Sequence, residues 1–211
     1  MYILSKALVF PPVHFADDNG LLAIGGDLSA KRLILAYKSG IFPWYNQGEP
    51  IIWYSPNPRM VMFPKDLKVS KSMRQVIRKT TYEITFNQNF SKVIHYCKTI
   101  NRPNQPGTWI TNEMQEAYIN LHQLGWAKSV EVWSNKELVG GLYGIDLGTV
   151  FCGESMFSKV SNASKLAFIF LVQKLEKENY KLIDCQVYNP HLESLGAKEI
   201  SREDFLKYLK T

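Results

Sequence analysis

Three apolar stretches in the middle of the chain are separated by short runs of turn-forming residues. The turns lie at Asn135 and at 146–148, and the stretches between them are rich in β-branched and aromatic residues. This pattern predicts an antiparallel meander of three strands. Gly140, Gly141 and Gly144 in the second stretch predict a bulge or the close approach of another backbone. The predicted strands are 127–133, 137–145 and 149–154.

A long helix is predicted directly after the meander, at 162–178. Its apolar residues surround more than one face, which is typical of a largely buried helix. Capping residues and helical spacing predict shorter helices, and alternation predicts further strands. The shorter helices are predicted at 30–39, from 70 or 71, at 90–97, 111–124 and 191–195, and from 201. The further strands are predicted at 60–63, 82–86, 181–185 and 197–200, with a loop at 101–107.

The order of these elements predicts the fold class. A meander, a buried helix and then a strand match an N-acyltransferase (GNAT)-like domain of the α/β (α+β) class, with a central, mostly antiparallel sheet flanked by helices. Such folds bind an acyl donor where two central strands splay apart. The first 60 residues are instead rich in turns and aromatics. We therefore predict a small N-terminal domain at 1–62 and a GNAT-like domain at 63–211.

Composition and the N-terminus narrow the class of protein. With 45% hydrophobic residues the chain can bury a full core, and no apolar run approaches the roughly 18 residues that span a bilayer. The N-terminus lacks the pattern of a secretory signal, and the three cysteines have no framework spacing. We expect a soluble, cytoplasmic protein. Metal-ligand spacings are also missing from the sequence, so we expect no metal site.

A net charge of +6 suggests a polyanionic partner. Basic residues are concentrated between residues 59 and 79, where Asp66 is the single acid. Such a run is either a solvated face or a stripe that contacts phosphates. The residues of this run, called the basic stripe below, are Arg59, Lys65, Lys68, Lys71, Arg74, Arg78 and Lys79.

Two carboxylates stand inside apolar, strand-like stretches. Glu154 lies within 153–158 and Asp184 within 182–186, and carboxylates are rarely buried unless something pairs with them. Placed at the ends of neighbouring strands, they predict a site that handles a cation, an amine or a proton. Gln186 is expected to share a strand face with Asp184, because side chains at i and i+2 point the same way.

A series of short motifs runs through the chain in order. They are GLLAIGGDLS at 20–29, GIFPW at 40–44, WYSPNPR at 53–59, TWI at 108–110, SVEVW at 129–133, LVGGLYG at 138–144, FCGESMFS at 151–158, NASK at 162–165 and DCQ at 184–186. Each motif is weak alone, but together and in this order they are specific. From about residue 10 onward the chain resembles the leucyl/phenylalanyl-tRNA–protein transferase family.

The resemblance implies a bacterial cytoplasmic aminoacyltransferase that needs no metal and no cofactor. Its implied partners are Leu-tRNA and Phe-tRNA, together with proteins that carry an N-terminal arginine or lysine. Methionine is implied as a further donor group. The implied reaction moves the aminoacyl group to the acceptor's α-amine and marks the product for N-degron proteolysis. We expect a monomer without a membrane partner.

Roles for individual polar residues follow from this resemblance. Asp184 and Gln186 are the implied catalytic pair, and a strand-end hydrogen-bond network is the alternative explanation for both. Asp184 is expected to orient Gln186, anchor the donor's ribose or attract a proton. Glu154 is expected to bind the cationic acceptor, or else to form an internal ion pair, for example with Lys165.

The donor is expected to contact further groups of residues. Four apolar residues are candidate walls of a pocket for the leucyl or phenylalanyl side chain, with core packing as the alternative. Trp44 and Trp109 are expected to contact the 3′ end of the tRNA, or else to fill a boundary between domains. The candidate wall residues are Leu142, Phe151, Met156 and Ile183. The residues of the basic stripe expected to hold the tRNA backbone are Arg59, Lys65, Lys71, Arg74 and Arg78.

Two other functions stay open on the sequence. A CoA-dependent N-acetyltransferase on the same fold would need a glycine-rich loop before the long helix, and 158–165 contains no glycine. A non-catalytic tRNA-binding module would leave the two carboxylates and Gln186 without a role. A nucleophilic pair of Cys185 and His191 is disfavoured, because a buried thiol beside a carboxylate should have a raised pKa.

Overall fold

Two β-sheets organise the chain in a computed structural model that describes residues 2–79, 82–100 and 108–210. The loop predicted at 101–107 and the side chain of Lys79 lie outside the described part. The smaller sheet has four strands in the order β1-β2-β4-β3, with β1 parallel to β2 and the other pairs antiparallel. These strands are β1 Tyr2–Leu4, β2 Leu21–Gly25, β3 Phe42–Pro43 and β4 Ile52–Tyr54.

The larger sheet contains seven strands among the described residues, in the order β11-β5-β10-β9-β8-β7-β6. Its pairs are antiparallel except for β9 and β10, which are parallel. This arrangement confirms the predicted mostly antiparallel sheet. The strands are β5 Arg59–Met62, β6 Glu83–Phe86, β7 Ala127–Ser134, β8 Glu137–Asp146, β9 Val150–Ser158, β10 Leu182–Gln186 and β11 Lys198–Ile200.

Helices flank the larger sheet, and their ends follow the predicted capping residues. The side chain of Thr111 accepts a hydrogen bond from the backbone N–H of Met114, and Ser29 and Ser201 cap their helices in the same way. The helices are α1 Ala30–Lys38, α2 Lys71–Lys79, α3 Phe90–Thr99, α4 Asn112–Gln123, α5 Ala163–Lys177, α6 Pro190–Glu193 and α7 Arg202–Leu209, with short 3₁₀ turns at Val13–Phe15 and Pro64–Asp66.

Helix α5 is the buried helix that its apolar pattern predicts. It packs on β7, β8 and β9, and a Cβ atom added at Gly140 would lie 2.5 Å from Cβ of Ala163. A larger residue at 140 would therefore push the first turn of α5 off the sheet. Leu142 and Tyr143 of β8 belong to different buried clusters, as expected for side chains on opposite faces of one strand.

The boundary predicted at residue 62 falls at the end of β5. That strand pairs with β10 and β11 and so belongs to the larger sheet, although it precedes the predicted boundary. The division into two domains stays a prediction. None of the helices in the described part combines the length and the apolarity needed to cross a membrane.

Candidate active site

A split between two parallel strands defines the candidate site. Strands β9 and β10 pair at Val150 with Leu182, at Phe151 with Ile183, and at Cys152 with Asp184. The pairing does not continue to the next residues, although β9 runs on to Ser158. Glu154 and Gln186 each lie two residues past the last pair, so their side chains face each other where the strands part.

Asp184 is fully buried at the base of this split and is paired with a cation. Its side chain is 1% exposed, as is that of Arg59. The Arg59 Nε and Nη2 atoms donate to Oδ1 and Oδ2 of Asp184 at 2.8 and 2.6 Å. Oδ1 also accepts from the backbone N–H of Gln186 at 2.9 Å. Both carboxylate oxygens are therefore engaged within the protein.

Gln186 leaves the regular strand geometry. Its φ is +65°, in the left-handed region that residues with a side chain rarely adopt, and the register with β5 shifts between Asp184 and Gln186. The amide Nε2 donates to Oε1 of Glu154 at 2.7 Å. Asp184 and Gln186 therefore do not share a strand face as predicted. The side chain of Asp184 binds Arg59, the side chain of Gln186 binds Glu154, and the backbone N–H of Gln186 donates to Asp184. Such strain is characteristic of functional sites.

Glu154 has neutral partners. Its carboxyl group accepts from Gln186 and from the Tyr118 hydroxyl at 3.1 Å, and the Tyr118 hydroxyl in turn bonds that of Tyr37. Burial raises the pKa of Glu154 to about 8, so the carboxyl group is mostly protonated at neutral pH. Within the described residues its hydrogen-bond partners are uncharged, and the ion pair with Lys165 is not formed.

An apolar cavity of about 300 Å³ opens from this polar pair. Leu142, Met156 and Ile183 line it as the sequence predicts, together with residues that sequence reasoning missed. The missed wall residues are Phe168 and Leu171 of α5, and Leu192 of α6. Their helical spacing looked like ordinary core packing, so no local signal set them apart.

Phe151, the fourth predicted wall residue, is not among the residues that line this cavity. It stands in the part of β9 that is still paired with β10. A Cβ atom at Gly144 would lie 2.5 Å from the Phe151 ring, so the ring occupies the space that the glycine leaves. There it borders a second cavity, beside Tyr180.

Two tryptophans line the mouth of the first cavity. Trp44 is 44% exposed and its ring centroid lies 5.8 Å from that of Tyr54. Trp109, on the segment before α4, is partly buried. Both belong to the lining of the cavity, next to Pro43. Because Trp44 is exposed, its aromatic surface is accessible at the cavity mouth. This disfavours the alternative that Trp44 fills a boundary between domains.

The basic stripe divides into a buried and an exposed part. Lys65, Lys71, Arg74 and Arg78 are exposed along the turn Pro64–Asp66 and α2. Arg59 is 1% exposed and bound to Asp184, so it cannot contact a tRNA backbone at the surface. The assignment of Arg59 to the tRNA-binding stripe was therefore wrong. Its real partner was hidden because Asp184 lies 125 residues away in the sequence.

Cys185 is not activated as a nucleophile. Burial raises the pKa of its thiol well above the ordinary value, and the charge of Asp184 raises it further. Burial also lowers the pKa of His191. The raised pKa disfavours the Cys185 thiolate, and the lowered pKa disfavours a charged His191. A thiolate–imidazolium pair is therefore disfavoured, as expected from the sequence.

The fold and the site together define a class of protein. Parallel strands that part at a polar pair, with an apolar cavity at the split, are the arrangement that the sequence predicts for an acyltransferase with a GNAT-like fold. Among solved structures, the chain is similar to a functionally unknown conserved protein from Staphylococcus epidermidis, with a TM-score of 0.47, 12% identity and coverage of 86% of this chain and 68% of that one. It is also similar to a GCN5-related N-acetyltransferase from Kribbella flavida, with a TM-score of 0.42, 10% identity and coverage of 85% and 63%.

Sequence comparison identifies the family. The family model described as leucyl/phenylalanyl-tRNA protein transferase matches residues 61–210, and the model of its N-terminal domain matches residues 26–57. The chain is 65% identical to the leucyl/phenylalanyl-tRNA–protein transferase of Flavobacterium johnsoniae over 100% of both chains. It is 61% identical to that of Christiangramia forsetii, over 99% of this chain and 100% of the relative. The chain belongs to the leucyl/phenylalanyl-tRNA–protein transferase family and is an aminoacyltransferase.

Proposed function

We propose that the cavity at the β9–β10 split receives the aminoacyl end of a tRNA and that Glu154 and Gln186 bind the N-terminal residue of the acceptor there. As a member of its family, the chain transfers leucine or phenylalanine from aminoacyl-tRNA to proteins that begin with arginine or lysine. The products enter N-degron proteolysis. The observation that carries the placement is the hydrogen bond of 2.7 Å between Gln186 and Glu154 at the polar end of an apolar cavity.

The donor side chain occupies the apolar part of the cavity. Leu142, Ile183 and Met156 from the sheet face Phe168 and Leu171 from α5 across it. A methionine at the wall adapts to side chains of different shape, which suits a pocket for both leucine and phenylalanine. Shape alone discriminates by about 1–3 kcal/mol per methylene, so the pocket separates these donors only modestly from methionine.

The terminal adenosine of the tRNA lies at the mouth of the cavity. Trp44 offers an exposed ring, and Trp109 borders the same opening. Base stacking on an aromatic ring contributes about 1–3 kcal/mol and tolerates any base. The basic residues Lys65, Lys71, Arg74 and Arg78 are exposed and hold the tRNA backbone without reading its sequence.

The reaction is the aminolysis of an ester. The neutral α-amine of the acceptor attacks the ester carbonyl carbon, the bond from that carbon to the ribose oxygen breaks, and a proton moves from the amine to the released ribose oxygen. Gln186 holds its Nε2 on Glu154 and accepts a hydrogen bond from the attacking amine through Oε1. An α-amine with a pKa of about 8 is partly neutral at physiological pH, so positioning supplies much of the rate.

Glu154 binds the charged side chain of the acceptor's N-terminal arginine or lysine, whereas the α-amine that attacks is neutral. A cation that enters the cavity favours the ionised carboxylate and so lowers its pKa from the raised value of the free enzyme. Acceptor binding therefore releases a proton from Glu154. The neutral partners Tyr118 and Gln186 orient the carboxyl group without competing for this charge.

Three broader features belong to the same proposal. The chain acts as a monomer. It works in the cytoplasm, a proposal supported by the aminoacyl-tRNA that it uses. The chain has the two domains predicted at 1–62 and 63–211. The first contains the smaller sheet, and the second contains the larger sheet except for β5, which precedes the boundary.

One assay tests the proposed function against its rivals. The protein is incubated with radiolabelled Phe-tRNA and an arginine-initiated peptide, with an alanine-initiated peptide as the control and acetyl-CoA in a parallel arm. Label on the arginine peptide alone is the expected result. No label on either peptide contradicts the proposal. Acetylation by acetyl-CoA would indicate an acetyltransferase, and tRNA binding without transfer would indicate a binding module.

A further inference from the structure

The Arg59 side chain connects three parts of the molecule that are distant in sequence. Besides its two bonds to Asp184 of β10, its Nη1 donates to the carbonyl oxygen of Gly40 at 3.2 Å. The guanidinium also lies 4.9 Å from the Phe42 ring centroid and 4.6 Å from that of Phe205 in α7. One buried cation thus joins β10, the segment after α1, and α7.

The first of these contacts leads to Gln186. Oδ1 of Asp184 accepts from Arg59 Nε at 2.8 Å and from the Gln186 N–H at 2.9 Å. Gln186 is held at φ +65°, a conformation that persists only when the surroundings fix it. The guanidinium fixes the carboxylate, and the carboxylate fixes the backbone of Gln186.

The second contact leads to another wall of the cavity. Gly40 lies just before the segment Phe42, Pro43 and Trp44, and these three residues line the cavity. The bond to the Gly40 carbonyl and the contact with the Phe42 ring anchor this segment to the same guanidinium. Arg59 itself does not belong to the residues that line the cavity in the described part of the chain.

We propose that Arg59 is a positioning residue that sets the distance between Gln186 and the Trp44 side of the cavity. The inference rests on the proposed function, because it assigns the donor and the acceptor to these two walls. The side chain touches neither substrate. It acts through Asp184 on one side and through Gly40 and Phe42 on the other.

Arg32 provides a matched control. It is a second fully buried arginine, with an ion pair of 3.1 Å to Asp27, a bond of 3.0 Å to the Ser5 carbonyl, and the Phe10 ring at 6.0 Å. Neither Arg32 nor its partners line the cavity. Loss of Arg32 therefore reports the stability cost of removing a buried, paired guanidinium without a change at the candidate site.

The test compares Arg59→Lys, Arg59→Met and Arg32→Met in the transfer assay, with a thermal melt of each. Lysine keeps the charge but cannot make the paired bonds to Asp184 and the bond to Gly40. We expect kcat of Arg59→Lys to fall about 30- to 100-fold, since small misplacements of reacting groups have effects of this size. KM for the peptide should change less than about threefold. Arg32→Met should melt earlier but keep kcat per folded enzyme.

A double variant separates positioning from folding. Arg59→Met combined with Asp184→Asn removes both charges, so the melting temperature should recover toward the wild-type value. We expect kcat to stay low, because the guanidinium that fixes both walls is missing. Recovery of kcat together with the melting temperature would show that Arg59 acts only on stability.

The wild-type enzyme in the same assay separates a failure of the proposed function from a failure of the positioning role of Arg59. If the wild type transfers no label, the proposed function fails and the role of Arg59 fails with it. If the wild type is active and Arg59→Lys retains kcat within about twofold, the positioning role alone is refuted. An equal loss of kcat in Arg32→Met would refute it as well.

Discussion

Asp184 and Glu154 lie on neighbouring strands at the same split, but their surroundings differ. Asp184 is fully buried and bound on both oxygens by Arg59. Glu154 lines the cavity and meets a tyrosine hydroxyl and an amide. The first carboxylate already has its cation inside the protein, and the second meets no cation among the residues that the structure describes. This difference supports the proposal that Asp184 belongs to the framework of the site and that Glu154 receives the positive charge of a substrate.

Asp184→Asn should produce the largest effect on stability. Removing one partner of a buried ion pair leaves the Arg59 charge uncompensated and destabilises a protein by about 3–5 kcal/mol. Denaturant unfolding at pH 7 measures the change. Asp27→Asn, which removes the half-exposed partner of Arg32, should cost less. Equal stability of Asp184→Asn and the wild type would mean that Asp184 is not a framework charge.

Gln186→Ala should produce the largest effect on turnover. The amide contacts the reacting amine in the proposed mechanism, and loss of one such polar group lowers kcat about 10²- to 10³-fold. The tRNA dissociation constant, measured by filter binding, should stay within about twofold. Gln173→Ala, on the exposed side of α5, is the control and should behave as the wild type. Parallel losses of binding and kcat in Gln186→Ala would make the residue structural.

Glu154→Gln should change stability in the opposite direction to Asp184→Asn. The pKa of Glu154 is raised from 4.5 to about 8 in the folded protein, so the unfolded chain releases this proton first as the pH rises. Wild-type stability therefore falls between about pH 4.5 and pH 8, and glutamine removes that loss. We expect the variant to be about 1–2 kcal/mol more stable at pH 7, and to show a reduced kcat/KM for arginine peptides.

Unfolding titrations at pH 5, 6, 7 and 8 check this sign. The stability difference between Glu154→Gln and the wild type should grow with pH over this range. A difference that shrinks with rising pH would mean that Glu154 is stabilised as a carboxylate in the free enzyme. In that case the contrast between the two carboxylates would disappear.

Charge changes in the basic stripe should produce the smallest effect per residue and leave both carboxylates untouched. Lys71→Glu, Arg74→Glu and Arg78→Glu should each weaken tRNA binding and lower the slope of log K against log salt by about 1 for each phosphate that is no longer neutralised. Filter binding over a salt series measures the slope, with Lys31→Glu on α1 as the control. An unchanged slope would make the stripe a solvated face.

The sequence predicted the elements whose signals are local. The meander, α5 and β10 follow from alternation, helical spacing and turn residues within a few positions, and the structure confirms them. Strand β9 is longer than predicted and continues to Ser158, because the polar residues Glu154 and Ser155 interrupt its apolar pattern. The smaller sheet was missed because its strands have two to five residues, too few for a periodic signal.

The site was predicted in its polar residues and only partly in its walls. Glu154 and Gln186 stand out because polar groups inside apolar strands need a reason. The pairing of Arg59 with Asp184 depends on contacts between remote segments, and charge alone placed Arg59 on the surface. Phe151 has the same apolar character as Met156, but the paired part of the sheet covers it. Only three-dimensional packing separates such residues.

The contact between Arg59 and Phe205 has a consequence for when the site can form during protein synthesis. The ring of Phe205 packs on the Arg59 guanidinium. Helix α7, which carries this ring, is synthesised after the other elements that contact the guanidinium. During synthesis, Gly40, Arg59 and then Asp184 leave the ribosome before this ring does. The framework of the site is therefore completed only when α7 has been translated, so a chain truncated before residue 205 should lack an ordered donor site.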